Sequence, residues 1–329
     1  MRPSLSTQFF GLDLKSPVIA ASSSLTGNLD QIEKIAAAGA GAVVLKSIFE
    51  EEIVMQLNEV LNQKSTLAAD PEYYDYFDYV IKEDTLNRYI ELIQQAKASI
   101  AIPVIASVSC VTSSEWTVFT RKLQEAGADA LELNLFIIPS DNERTNEDNE
   151  KFYFETIQRV LDEVTIPVSI KISHYFSNLA RMVCELSSTG IAGITLFNRF
   201  YSPDVDIYQE KLVSADVFSH ENDYLFPLRW TGILSPKVDC PLAATSGIHS
   251  AETAIKFMLA GAHAVQLASV LYQEEPEIIE KINQEICTWM EGKSYHYIDD
   301  FRGKLSIRTT HAAAYERTQF MNYLGKREF

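Results

Sequence analysis

Cysteine is scarce: Cys110, Cys184, Cys240 and Cys287 are the only four, and none are paired as CxxC. That excludes a disulfide-stapled secreted scaffold and a zinc or iron–sulfur site carried by clustered cysteines. It reads as reduced thiols in a cytoplasmic protein, with no metal site expected. Long hydrophobic runs are missing as well. The apolar stretch Ala36–Leu45 contains two glycines and is too short to span a bilayer. The opening segment MRPSLSTQFFGLDL has no apolar core of the kind a secretory signal needs. Positive charge is also short, with 28 Lys and Arg against 45 Asp and Glu, a net −17. A field of that sign repels phosphate backbones and anionic lipid, so neither nucleic acid nor membrane is an expected partner. A small anionic substrate can still be held by local Lys, Arg or backbone N–H groups.

What is present is apolar bulk. Hydrophobic residues make up 47% of 329 residues, enough for a large core without a staple. The length suits an α/β barrel built as one domain over residues 1–329. Two short patterns interleave along the chain. Gly39, Gly127, Gly190 and Gly261 each follow a helical stretch and precede an apolar run, where a helix C′ residue with positive φ is expected. Pro17, Pro103, Pro167 and Pro241 each open an apolar run, where the missing N–H costs nothing. Together they mark four copies of a strand–helix–strand–helix unit, which predicts a TIM (β/α)8 barrel.

The expected strands are Val18–Ala21, Ala42–Lys46, Val104–Val108, Ala130–Asn134, Val168–Lys171, Gly193–Phe197, Leu242–Thr245 and Ala264–Ala268. They are continuously apolar, as parallel strands buried on both faces are. Expected helices include Leu86–Ser99, Glu115–Ala126, Phe152–Glu163, Leu179–Ser188 and Ala251–Ala260. Three segments exceed ordinary βα loops: Ser47 to about Asp84, Phe136 to about Asn149, and Arg199 to about Val238. All three follow even-numbered strands and are therefore insertions at the C-terminal face, where barrel active sites lie. In the first, the run Tyr73, Tyr74, Tyr76, Phe77 and Tyr79 reads either as cover for a ligand or as packing at a subunit interface.

The polar residues at the strand ends are Ser22, Lys46, Ser109, Asn134, Lys171, Asn198, Ser246 and Ser269. A lysine ending an apolar strand needs an anionic or hydrogen-bonding partner. Lys46 and Lys171 either face a ligand at one mouth or each pair with a neighbouring acid. Ser246, Gly247, Ala268 and Ser269 stand after strands seven and eight, where barrels commonly hold a phosphate. Ser250 also reads as a plain helix cap.

In order, PVIAAS, GAVVLKS, PVIASVS, GADALELN, PVSIKIS, LFN, ATSGI and GAHAVQLASVLY make the chain resemble the dihydroorotate dehydrogenase family, soluble class, from about Gly11 to Tyr272. The resemblance implies FMN as cofactor, oxidoreductase activity and a role in pyrimidine biosynthesis. It places Ala21 and Ser22 along the isoalloxazine, Lys46 near flavin and substrate, and Lys171 at the flavin's pyrimidine end. Ser246, Gly247, Ala268 and Ser269 would hold the phosphate, and Asn134 and Asn198 would lie between flavin and substrate. A homodimer is the expected assembly.

The sequence departs from the family at the base. The family's base sits in a motif like Asn-Leu-Ser-Cys-Pro-Asn after strand four, whereas this chain reads Asn134-Leu135-Phe136-Ile137-Ile138-Pro139. Ile137 accepts no proton, which leaves Ser140 or Asp141 as candidates after a shift of register. Arg199 follows Asn198 where the family has Ser, and is read either as a ligand for a substrate carboxylate or as a partner of local acids. Three functions remain open: an FMN-dependent oxidoreductase for dihydroorotate or a related dihydropyrimidine or carbonyl compound, a flavin-binding protein without turnover, and a non-redox enzyme using Lys171 or Lys46 as a Schiff base.

Overall fold

The structure, a computed structural model, describes residues 2–49, 55, 71–109, 115–199 and 202–309, with the backbone alone at 71–79 and 115–118. Cys110 lies outside these residues, and so do the side chains of the run from Tyr73 to Tyr79.

An antiparallel hairpin comes first, β1 (Thr7–Phe9) with β2 (Leu12–Leu14). Eight parallel strands then close into a ring: β3 (Val18–Ala20), β4 (Ala42–Val44), β6 (Val104–Ser109), β7 (Ala130–Leu135), β8 (Val168–Ile172), β9 (Gly193–Leu196), β12 (Leu242–Thr245) and β13 (Ala264–Leu267). Pairing of β4 with β6 completes the closure, and the two-residue β5 (Ile48–Phe49) lies beside β6. A second hairpin, β10 (Pro203–Asp206) and β11 (Lys211–Ser214), stands apart from the ring. The helices are α1 (Leu29–Ala37), α2 (Pro71–Ser99), α3 (Glu115–Glu125), α4 (Asn146–Glu163), α5 (Leu179–Ser187), α6 (Leu225–Leu234), α7 (Ala251–Ala260), α8 (Ser269–Gln273) and α9 (Ile278–Gly292). The fold is the expected (β/α)8 barrel, and each expected strand is found within two residues of its bounds.

Alternation along the strands sorts the core into two layers. Val18, Ala20, Val43, Leu131, Ile170, Ile194 and Val265 face outward and pack with helix residues such as Ile32, Ile93 and Ile157. Ile19, Ala42, Val44, Ile105, Ala130, Ala243 and Ala264 face the axis and meet Phe9, Phe10 and Leu14 of the first hairpin. That hairpin plugs the N-terminal end of the barrel. Burial of each phenyl ring there stabilises by about 1.5–3 kcal/mol. Phe9 fits because β9 begins at a glycine: a Cβ on Gly193 would lie 2.7 Å from its ring.

All four predicted C′ glycines have positive φ. At Gly261 (φ +116) a Cβ would also meet the Ser235 Oγ at 2.2 Å, so space and backbone both demand glycine. Two helices start earlier than expected. α4 opens at Asn146 because Thr145 and Asp148 form a capping box, each side chain accepting from the other's backbone N–H. α2 extends back to Pro71 through a stretch with little amphipathic pattern. The third long segment contains β10, β11 and α6, so NDYLFPLRW leads into and forms much of the helix of the sixth βα unit.

Candidate functional site

Above the apolar floor the barrel interior turns polar. Ser107, Glu132, Ser169, Thr195 and Gln266 sit on the axial face of their strands and are buried. Period-two alternation puts Glu132 and Asn134 on the same face of β7, and Lys171 beside Asn134 on β8. A cavity of about 350 Å³ opens above them at the C-terminal ends of the strands. That volume lies within the usual range for a small-molecule site.

The cavity gathers most of the residues singled out in the sequence. Ala21, Ser22, Asn134, Lys171 and Asn198 line it, and Arg199 stands at its edge. Ser246, Gly247, Ala268 and Ser269 line the side formed by β12 and β13. Two named residues are elsewhere. Lys46 lines a neighbouring depression of about 510 Å³ with Arg88 and Tyr89, which among the described residues shares Ser47 and Phe49 with the first cavity. Its strand ends at Val44, and its stem packs against Gly27, where a Cβ would approach the Lys46 Cβ to 3.3 Å. Ser140 is exposed on the loop after β7 and does not line the cavity, nor does Ile137, whose N–H donates to the Tyr153 hydroxyl at 3.2 Å.

Lys171 donates to the Gln266 Oε1 at 3.2 Å. Desolvation pushes its ammonium below the usual lysine range, and the charge of Glu132 opposes that shift. Glu132 accepts from the Gln266 Nε2 at 2.5 Å and from the Thr195 hydroxyl at 3.1 Å. Its second oxygen, Oε1, is buried with no protein partner, and so is the Asn134 Oδ1. Orphaned buried acceptors in a cavity wall mark places where a ligand brings donors, because leaving them unmet costs about 1–3 kcal/mol each. Asn198 donates its side-chain N–H to the Lys171 carbonyl at 3.2 Å.

On the opposite wall a row of hydroxyls runs inward. Ser22 and Ser47 lie 3.0 Å apart, and Ser47 and Ser107 2.6 Å apart. Tyr89 closes the row, donating to the Ser107 carbonyl and accepting its N–H. Burial pushes the Tyr89 hydroxyl well above the usual tyrosine range, so it stays protonated.

After β12, Ser246 (φ +78) and Gly247 (φ +67) are both left-handed. A Cβ on Gly247 would fall 2.3 Å from the Tyr224 nitrogen, so the third long segment can press against this turn only because the residue is glycine. Holding Ser246 there costs about 1 kcal/mol or more, the kind of strain that gathers at functional sites. The Ser269 hydroxyl accepts the Ser219 N–H at 2.8 Å, and the Ser219 hydroxyl meets the His249 Nε2 at 3.0 Å. Val217 and Ser219 thus form part of the cavity edge. Arg199 pairs with Asp223 at 3.5 Å and donates to the Val217 carbonyl, so of its two sequence readings the local acid is the partner seen here.

Sequence reasoning missed Glu132, Gln266, Ser47 and the aromatic rim residues Phe49 and Phe197. A signal for the first two existed. In LELN a polar residue interrupts an apolar strand two places before the polar residue near its end, and in AVQL a lone amide interrupts an otherwise apolar strand. Among the described residues, no group of three or more His, Cys, Asp or Glu is placed to hold a metal ion. Among the same residues, no helix is long and apolar enough to cross a membrane.

Comparison with known proteins bears on this geometry. A family model described as dihydroorotate dehydrogenase matches residues 82–290. The catalytic subunit of dihydroorotate dehydrogenase B (NAD(+)) from Methanocaldococcus jannaschii is 25% identical over 88% of this chain and 94% of its own. The same subunit from Pyrococcus abyssi is 24% identical over 91% and 98%. The dihydroorotate dehydrogenase (fumarate) of Kluyveromyces lactis is 25% identical over 93% and 99%.

Proposed function

Because the chain belongs to the dihydroorotate dehydrogenase family and is an oxidoreductase of that kind, we propose that its barrel mouth binds FMN and oxidises dihydroorotate or a related small dihydropyrimidine or carbonyl compound. The observation that carries this reading is the cavity. One wall offers a half-buried ammonium, and a second offers a glycine turn followed by a serine hydroxyl. The residues fit the group: Lys171 would meet an electron-rich ring edge, Ser246, Gly247, Ala268 and Ser269 would hold the phosphate, and Ala21 and Ser22 would lie along the ring. The orphaned Asn134 Oδ1 and Glu132 Oε1 supply acceptors for ligand N–H or O–H groups.

Bound FMN would supply a two-electron acceptor, and the protein supplies the rest. The fixed charge of Lys171 favours negative charge developing beside it, with no reorganisation at the moment of reaction. Phe49, Phe197 and Val217 line the rim and restrict water. Asn134 and Asn198 orient substrate, and Lys46 approaches from the adjoining depression. Proton acceptance is assigned to the loop after β7, with Ser140 as its hydroxyl. This role requires residues 136–145 to close over the mouth, since Ser140 is exposed in the present arrangement. Arg199 is assigned to a substrate carboxylate, which would displace its contact with Asp223. Residues 1–329 are taken as one domain, and a homodimer as the assembly.

The test is anaerobic mixing of purified protein with dihydroorotate while following the visible flavin absorbance. Bleaching supports flavin and substrate together. A yellow protein that stays yellow rejects dihydroorotate and keeps the flavin. A colourless protein that takes up no added FMN rejects the cofactor.

A further inference from the structure

Lys171 is the cation on which the flavin reading rests, yet burial works against its charge. The surrounding polar groups are arranged in a way that suits a carboxylate at Glu132 and an ammonium at Lys171. Glu132 is wholly buried on the axial face of β7, and as a carboxylate it only accepts hydrogen bonds. It takes one from the Gln266 Nε2 at 2.5 Å and one from the Thr195 hydroxyl at 3.1 Å. With its own proton committed to Glu132, the Thr195 oxygen accepts from the same Nε2 at 3.2 Å. Both demands turn the Gln266 amide the same way. Its oxygen then faces Lys171, at 3.2 Å from Nζ.

We propose that Glu132 is a positioning residue for Lys171: acting through the Gln266 amide, it fixes an acceptor on the ammonium and supplies the counter-charge that keeps Lys171 protonated in the cavity floor. Among the described residues, the charged ones lining the cavity are Glu132 from β7, Lys171 from β8 and Arg199 beyond β9. Arg199 is engaged by Asp223 at the edge. The register neighbours of Lys171, Asn134 and Thr195, and its hydrogen-bond partner Gln266 are neutral, as are Ala21 and Thr245 of the cavity lining. Among the described cavity-lining residues, Glu132 is therefore the acid that can balance Lys171. The Glu132 Oε1 is buried with no hydrogen-bond partner among the described residues.

The consequence for flavin rests on the function proposed above; the claim about Lys171 does not. The experiment therefore reads Lys171 directly. Ligand-free protein is labelled with acetic anhydride across a pH series, and modification of Lys171 is quantified by mass spectrometry in wild type, Glu132→Gln and Gln266→Leu. The expected result is a titration midpoint lowered by about one pH unit or more in Glu132→Gln, in line with loss of a nearby opposite charge. Gln266→Leu should shift in the same direction. An unchanged midpoint in folded Glu132→Gln overturns the proposal, and a shift there with none in Gln266→Leu overturns the route through the amide. If Glu132→Gln does not fold, Gln266→Leu decides alone: a lowered midpoint supports the proposal and an unchanged one overturns it. FMN titration of the same proteins adds a second readout, with affinity lost at lower pH in Glu132→Gln than in wild type. Failure of wild type to bind FMN would count against the flavin reading while leaving the labelling result to decide this one.

Discussion

The two ends of the barrel interior are built on opposite terms. At the N-terminal end the axis is filled by Phe9, Phe10, Leu14 and the small residues around them, and His263 is half-buried beside it as a neutral ring. At the C-terminal end the axis carries a carboxylate, an ammonium, an amide and two buried acceptors with no protein partner. A chain that satisfies its floor so completely and leaves its mouth unsatisfied spends stability at one end to hold a ligand at the other. Mouth variants should therefore change chemistry more than stability, and floor variants the reverse.

The sharpest test of that division is Ser140→Ala. With Ser140 as the proton acceptor, turnover should fall by about 10²–10⁴ while flavin content and melting temperature hold; full activity would move the role to Asp141 or to water. Next comes Phe9→Ala, which opens a hole in the floor. It should cost about 3–5 kcal/mol in urea unfolding yet leave FMN affinity alone in the protein that remains folded. A loss of affinity larger than the loss of stability would show the two ends to be coupled. Lys171→Ala should slow flavin reduction or weaken flavin binding by about 10²–10³, and Lys46→Ala should do less, because the two lysines line different cavities. Equal losses would bring both to the mouth.

The smallest effect is a pH dependence of the floor. Burial pushes His263 down to about 4 from an ordinary 6.5. The unfolded chain binds this proton more readily than the folded one, so stability is full above about pH 6.5 and falls as pH drops towards 4. The contribution at stake is at most about 3 kcal/mol. His263→Gln should flatten that part of the stability curve in chemical unfolding between these limits, and an unflattened curve would mean that other groups dominate it.

Much of the architecture was legible because it repeats. Pro17, Pro103, Pro167 and Pro241 and the glycines between them bracket strands whose continuous apolarity has one physical meaning, burial on both faces. The first hairpin escaped notice because its strands are three residues each, too short for a period to show. At the site, the strand ends revealed Asn134 and Lys171, but attention to ends alone passed over Glu132 and Gln266, one alternation deeper. Strand position alone makes Lys46 the mate of Lys171. Its placement depends on where β4 stops and what Gly27 leaves room for, which no run of one-dimensional pattern encodes. The partner of Arg199 was equally hidden, since Asp223 reaches it only once the segment carrying β10 and β11 has folded back.

The plug at the floor also has a meaning in time. Thr7 donates its hydroxyl to the His263 carbonyl at 2.8 Å, Ser4 its N–H to the His296 carbonyl at 2.8 Å, and Ser16 its hydroxyl to Asn283 at 2.8 Å. The hairpin is thus held by residues made long after it. Until β13 has been made, Phe9 and Phe10 have no finished barrel to enter, and the growing chain carries them exposed, as a natural handle for a chaperone.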